Sequence, residues 1–218
     1  IRNKTFSPDE IYQKYFGVKE FCKGGITVTG GEPLLQIDFV IELFKKFKES
    51  NIHTTLDTSG ILFDRKNKKY NELIKYTDLV MLDIKHINDD EHKNLTGYSN
   101  KNILDFAKYL SENNIPIWIR HVVIQDITYN EKYLKELGQF ISTLKTVKAL
   151  DVLPYHNMAI PKYEKLGIDY PLKNTKPLSK EDALNARNII LQEMKKNYNS
   201  QNFSTAFTKP LLSTVSVI

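Results

Sequence analysis

The stretch Asp78-Leu79-Val80-Met81-Leu82-Asp83-Ile84-Lys85 decides the fold class. Its centre, from Leu79 to Ile84, is almost wholly apolar, and a short apolar run of this kind is typical of a strand that is buried in a parallel sheet. Helical patterns flank it, near Lys69 to Tyr76 and from about Ile103 to Glu112. Strand and helix therefore alternate around this stretch, as they do in βαβ units.

The same alternation continues toward both ends of the chain. Further strands are predicted at 26–29, 53–57, 116–124 and 149–153, and further helices at 8–16, 35–48, 131–144 and 179–196. Ser7 and Ser179 each stand three residues before an acid, which is the pattern of a capped helix start. Five strands that alternate with helices predict an α/β fold with parallel strands. An open doubly wound sheet and a partial (β/α) barrel both fit, and in either one ligands gather at the carboxyl ends of the strands.

The composition is that of an ordinary globular protein. Of the 218 residues, 41% are hydrophobic, which is enough for a sizeable core. We expect one domain over 1–198 and a mobile tail over 199–218, where little pattern is visible. No apolar run approaches the roughly 20 residues of a membrane span, and no secretory pattern is visible, so we expect a cytoplasmic protein without a membrane partner. The net charge of +5 is spread over helices that mix lysines and acids, which does not favour a nucleic-acid partner.

The sequence contains one cysteine, Cys22. A single thiol excludes a disulfide within the chain, and it is too few to hold a zinc ion or an iron–sulfur cluster without other donors. Packing as a small hydrophobic residue is the ordinary role of such a cysteine. The chain begins Ile1-Arg2, without a methionine, from which we expect that it is processed or a fragment.

Polar residues stand at the carboxyl ends of all five predicted strands. In chain order they are Gly30-Gly31-Glu32-Pro33, Asp57-Thr58-Ser59-Gly60, Asp83-Ile84-Lys85, Arg120-His121 and Pro154-Tyr155-His156. Because the carboxyl ends of parallel strands meet at one rim, we expect these groups to converge there.

Most of these groups also have an ordinary structural explanation that requires no ligand. The two glycines can form a simple turn, and they do not have the spacing of a phosphate loop. Asp57 can cap the next turn, and His156 can be a surface residue. Asp83 and Lys85, two apart on a strand, can pair with each other.

These motifs resemble a known family in their order and spacing. Thr29-Gly30-Gly31-Glu32-Pro33 resembles the element by which radical S-adenosylmethionine (SAM) enzymes hold the amino group of SAM. The more specific segments are 56–60, 78–85, 118–120, 153–156 and 162–167, with 97–100 and 106–110 between them. They are similar to the pyruvate formate-lyase activating enzymes over about residues 6–196.

The resemblance implies a six-stranded partial (β/α) barrel with SAM and a 4Fe–4S cluster as cofactors. In this family an electron from the cluster cleaves SAM, and the resulting deoxyadenosyl radical removes a hydrogen atom from a glycine of pyruvate formate-lyase. The implied partners are therefore pyruvate formate-lyase and a flavodoxin- or ferredoxin-like electron donor.

Roles carry over to individual positions of this sequence. The resemblance implies that SAM is bound by Gly30, Gly31, Glu32, Asp83, Ile84, Lys85 and His156. It implies a monovalent cation at Asp57, Thr58, Met81 and Asp83. A cation there is physically reasonable, because two carboxylates that converge on that of SAM would otherwise repel one another. Arg120 matches a position that faces the substrate peptide, and no residue is assigned as catalytic.

The sequence departs from the family in one important respect. The cluster of the family is held by three cysteines, spaced Cys-x-x-x-Cys-x-x-Cys after a first strand, and neither the motif nor that strand is present in these 218 residues. Cys22 lies on the other side of the first helix. We therefore expect an amino-terminally truncated radical SAM barrel that is inactive alone.

Three other functions stay open at this point. The chain can belong to an activase of another glycyl-radical enzyme, or it can be a cluster-less relative that binds SAM or a partner without chemistry. A phosphate-binding barrel enzyme would require a glycine-rich loop at the later strand ends, which Leu153-Pro154-Tyr155-His156 does not supply.

Overall fold

A computed structural model describes residues 5–22 and 24–197 of the chain. The strands are β1 Ile26–Val28, β2 Thr54–Thr58, β3 Leu79–Asp83, β4 Ile117–Val123 and β5 Val147–Pro154. The helices are α1 Pro8–Phe16, α2 Ile37–Glu49, α3 Lys69–Leu73, α4 Asp89–Thr96, α5 Lys101–Glu112, α6 Glu131–Ser142, α7 Ile160–Lys165 and α8 Lys180–Asn197. None of the helices in these residues is long and apolar enough to cross a membrane.

The strands form a five-stranded sheet in the order β1-β2-β3-β4-β5. β1 pairs with β2 in parallel, with Ile26 opposite Thr54, and β2 pairs with β3 in parallel, with Thr55 opposite Leu79. Each strand is followed by a helix before the next strand, so the predicted α/β class is confirmed.

All five predicted strands and the six predicted helices are present, most of them within two residues of the expected ends. The capped start of α1 is confirmed. The Ser7 hydroxyl accepts the N–H of Glu10 at 3.2 Å, and the Glu10 carboxylate accepts the N–H of Ser7 at 2.7 Å. Ser179 and Asp182 form the same reciprocal pair before α8. These side chains satisfy N–H groups that a helix start leaves without a partner.

The described residues divide into two compact units. The first comprises 5–22, 24–83 and 102–118, and the second comprises 84–101 and 119–197. The prediction of a single domain over 1–198 stays a prediction, and the predicted tail 199–218 lies outside the described residues.

The first unit has a core of aromatic and aliphatic side chains between α1 and α2. Tyr15, Leu43, Phe47 and Ile52 are buried in one cluster, and Cys22 packs against it, partly buried. The ring centroids of Tyr15 and Phe47 lie 5.1 Å apart in an edge-to-face arrangement. Burial of each such side chain contributes on the order of 2 kcal/mol. The position of Cys22 agrees with the packing role expected of it.

The core of the second unit lies where α8 packs on α6 and on β5. The apolar residues that this packing buries include Leu137 and Ile141 on α6 and Ile190 and Met194 on α8. At the edge of the packing the Gln139 amide donates to the Glu193 carboxylate at 3.0 Å. The last helix is therefore an integral part of this unit.

Candidate cofactor-binding site

The loop after β1 holds two exposed glycines in a left-handed conformation. The φ angle is 97° at Gly30 and 37° at Gly31, a region that other residues rarely adopt. Their chain neighbours aside, no heavy atom of the described residues lies within 4 Å of the position that a Cβ would take at either glycine. The backbone of this loop is therefore open to the approach of a ligand.

Glu32 connects this loop to the end of β2. Its carboxylate accepts the N–H of Leu34 at 3.1 Å, at the start of the 3₁₀ turn Pro33–Gln36. The same carboxylate accepts the hydroxyls of Thr58 and Ser59 at 2.5 Å each, and the N–H of Ser59 at 3.0 Å. The Glu32 side chain is therefore directed at the protein itself.

Asp57 and Asp83 lie at the same end of neighbouring strands. The parallel register places Asp57 opposite Met81, and Asp83 follows two residues later on β3. Since alternate residues of a strand share a face, these three side chains lie on one face of the sheet. Thr58 lies on the other face, only 3% exposed, and its hydroxyl is directed into the loop after β1. The first unit thus brings three of the four predicted cation ligands onto one face, and the cation stays a prediction.

The other predicted site residues belong to the second unit. Ile84 is fully buried, and its N–H donates to the carbonyl oxygen of Arg120 at 3.0 Å. Lys85 and Arg120 are half-buried, and His156 is exposed just after β5. His121 donates through Nδ1 to the Ile84 carbonyl oxygen at 2.7 Å, which gives this buried ring a structural role. The contacts of Lys85, Arg120 and His156 with a ligand stay predictions.

Sequence reasoning assigns no role to three polar residues near these positions. Thr29 donates its hydroxyl to the Asp57 carboxylate at 3.0 Å, and Ser59 bonds to Glu32. Asp151 lies half-buried on β5, where burial raises the pKa of its carboxyl, while the guanidinium groups of Arg120 and Arg187 act in the opposite direction. A lone acid in the apolar run 149–153 is the sequence signal for Asp151. The other two are revealed only by the strand register.

Comparison with known proteins identifies the family. The model of the radical SAM superfamily matches residues 1–138, which is more than half of the chain. The chain is 45% identical over 194 residues to the pyruvate formate-lyase-activating enzyme of Streptococcus mutans serotype c, covering 87% of this chain and 74% of that protein. It is 46% identical over 182 residues to the enzyme of the same name from Staphylococcus epidermidis, covering 82% and 71%.

A solved structure agrees in fold. A domain of pyruvate-formate lyase-activating enzyme from Bacteroides vulgatus superimposes with a TM-score of 0.64 at 24% identity, over 78% of this chain and 94% of that one. The chain therefore belongs to the radical SAM superfamily and, within it, to the pyruvate formate-lyase-activating enzymes.

Membership of this family implies SAM and a 4Fe–4S cluster, and the two differ in how well the present residues fit them. The open glycine backbone at Gly30 and Gly31 is suited to the amino group of SAM. The cluster does not fit, because three thiolates are required and the 218 residues supply one, Cys22. In residues 5–22 and 24–197 no three His, Cys, Asp or Glu side chains are grouped to hold a metal ion.

Proposed function

We propose that this chain is the SAM-binding part of an enzyme that generates the glycyl radical of pyruvate formate-lyase. The observation that carries the proposal is the 45% identity to activating enzymes over 87% of the chain, in a protein whose strand ends carry an open glycine loop and paired acids. When bound and reductively cleaved, SAM supplies a carbon radical that can remove a hydrogen atom from a glycine.

The residues of the first unit bind and orient in this proposal. Gly31 offers its backbone to the amino group of SAM, supported by its exposure and left-handed conformation. Asp57, Met81 and Asp83 share one face, on which a monovalent cation would offset the repulsion between the two carboxylates. The buried hydroxyl of Thr58 is used by Glu32, so Thr58 would contribute its backbone oxygen.

The second unit contributes the remaining proposed contacts. Lys85 and His156 are charged or polar groups that suit the carboxylate and the nucleoside of SAM, and Ile84 would contribute through its backbone, because its side chain is fully buried. Arg120 would hold a backbone carbonyl or carboxylate of the substrate peptide, for which a guanidinium is well suited. A flavodoxin- or ferredoxin-like electron donor and a cytoplasmic location belong to the same proposal.

A cluster-less relative that binds SAM or a partner without chemistry is the second candidate. An activase of another glycyl-radical enzyme is distinguished from the first candidate by its substrate peptide.

The test compares two proteins under anaerobic reconstitution with iron and sulfide. One is the 218-residue chain, and the other is a chimera in which the cluster-binding segment of the Streptococcus mutans relative precedes Ile1. Absorbance reports the cluster, deoxyadenosine reports SAM cleavage, and the radical signal of added pyruvate formate-lyase reports the substrate. We expect all three from the chimera and none from the 218-residue chain. A chimera that binds the cluster but neither cleaves SAM nor forms the radical would refute the proposal.

A further inference from the structure

Two side-chain links connect the loop after β1 to the end of β2, one on each side of Gly30 and Gly31. Before the glycines, Thr29 donates its hydroxyl to Asp57 at 3.0 Å. After them, Glu32 accepts hydrogen bonds from the two residues that follow Asp57. The residues on both sides of the two glycines are thus hydrogen-bonded to three consecutive residues, Asp57, Thr58 and Ser59, at the end of β2.

Glu32 makes the stronger of the two links. Its Oε1 accepts from the Thr58 hydroxyl and the Leu34 N–H, and its Oε2 accepts from the Ser59 hydroxyl and N–H. Four donors therefore meet two oxygens, which uses the full acceptor capacity of a carboxylate. An amide at this position has one oxygen, and its NH₂ would face two of the donors.

The glycine loop needs such a link because both of its glycines are exposed and glycine backbone is flexible. Both glycines are exposed and have open space where a Cβ would lie, and glycine has more backbone freedom than any other residue. A loop of this kind samples several conformations unless its flanks are fixed, and a ligand that selects one of them binds more weakly.

We propose that Glu32 is a positioning residue, which acts on SAM through the backbone of Gly31 and not by side-chain contact. Its carboxylate ties the loop to Thr58 and Ser59 and so holds the glycine backbone in the conformation that receives the amino group. This inference rests on the proposed function, because it concerns the same ligand.

The first experiment measures hydrogen exchange and SAM binding in Glu32→Gln. Glu42→Gln is the matched control, since it removes the same charge from an exposed position of α2 in the same unit. In Glu32→Gln we expect the rate of amide exchange in residues 29–36 to rise about tenfold, while the exchange rate in α8 is unchanged. The Kd for SAM in the chimera should also rise about tenfold, as expected for the loss of a charged hydrogen bond. Glu42→Gln should match the wild type in both.

The second experiment separates positioning from direct contact and from loss of folding. In the chimera, Glu32→Gln should raise the KM for SAM about tenfold and leave kcat at saturating SAM within about twofold, because only binding depends on the loop. Thr58→Val should reproduce the defect, since it removes the hydroxyl, and Thr58→Ser should restore the wild-type KM. Ser59→Ala, which removes one donor, should have a smaller effect in the same direction.

The outcomes distinguish this inference from the proposed function. A wild-type chimera that binds no SAM overturns both. A wild-type chimera that binds SAM, beside a Glu32→Gln variant with unchanged Kd and unchanged loop exchange, overturns only the inference. A loss of kcat at saturating SAM, or equal KM values for Thr58→Val and Thr58→Ser, also overturns it, because the side chain would then act in some other way.

Discussion

Replacing Gly60 by alanine should destabilise the protein more than the same change at a glycine with open space where the Cβ would lie. Gly60 follows the residues that hold Glu32, and its φ angle is 71°. An added Cβ would lie 2.9 Å from Phe106 Cδ1 and 3.0 Å from Leu82 Cδ1. Both of these side chains are fully buried, so neither has free space to move into.

The magnitude follows from two contributions. A left-handed conformation at alanine costs about 1 kcal/mol, and overpacking of a rigid core costs about 1–3 kcal/mol. We therefore expect the free energy of unfolding of Gly60→Ala to fall by about 2–4 kcal/mol, a large part of the stability of an ordinary domain. Urea unfolding followed by circular dichroism, with equal slopes, measures this change.

Gly97→Ala is the matched control. Gly97 ends α4 with a φ angle of 82°, and no heavy atom of the described residues, its chain neighbours aside, lies within 4 Å of an added Cβ. It should therefore lose only the conformational contribution, about 1 kcal/mol. If the two variants lose the same free energy to within about 0.5 kcal/mol, the packing argument for Gly60 is refuted.

Three further predictions concern acid stability, a partly buried ion pair and the ligand site. Burial lowers the pKa of His86 from its ordinary value of 6.5. The unfolded chain therefore binds this proton at a higher pH than the folded protein, so stability should fall as the pH decreases from about 7 to about 5. The midpoint of urea unfolding should depend less on pH in His86→Asn than in the wild type. Asp78→Asn should lower the free energy of unfolding by about 1–3 kcal/mol, because Asp78 binds a lysine of α2 and a strand N–H. Asp38→Asn, at an exposed ion pair, should change the free energy of unfolding by less than about 0.5 kcal/mol. Thermal unfolding of both variants checks this. In the chimera, Asp83→Ala should weaken SAM cleavage far more than Cys22→Ala, measured as deoxyadenosine formed, and equal activities would contradict the assignment of Asp83 to the site.

The strands were predictable because a buried strand requires a run of apolar residues in the sequence. A strand such as Leu79–Asp83 must be apolar where it is covered. Two short helices have a weaker apolar pattern in the sequence. α4 is mostly polar and is stabilised by its ends, where the Asn88 side chain accepts two N–H groups and Gly97 closes the last turn. Periodicity of apolar residues does not detect such a helix, although its caps do. α7 has six residues in a proline- and lysine-rich segment and no side-chain cap.

The site was predictable where it depends on topology and not where it depends on register. Parallel strands carry their carboxyl ends to one rim, so Asp57 and Asp83 could be expected as neighbours from the strand order alone. The bond from Thr29 to Asp57 joins residues 28 apart in the chain. It requires that Val28 lie opposite Leu56, and no local pattern in the sequence specifies that pairing.

The two ends of the first unit's strands differ in a way that favours the carboxyl ends as the place where a ligand binds. At the amino ends, Asp78 is held by Lys48 at 2.7 Å and by the N–H of Thr54 at 2.9 Å, and a ligand that approached there would have to break these bonds. At the carboxyl ends, the hydrogen bonds of Glu32 join the loop after β1 to the end of β2, while the backbone of the two glycines stays exposed. A ligand that binds there forms new hydrogen bonds without breaking those that stabilise the fold. The same division between a stabilising and a functional end is found in other parallel α/β folds, and here it follows from where the acids are paired within the protein.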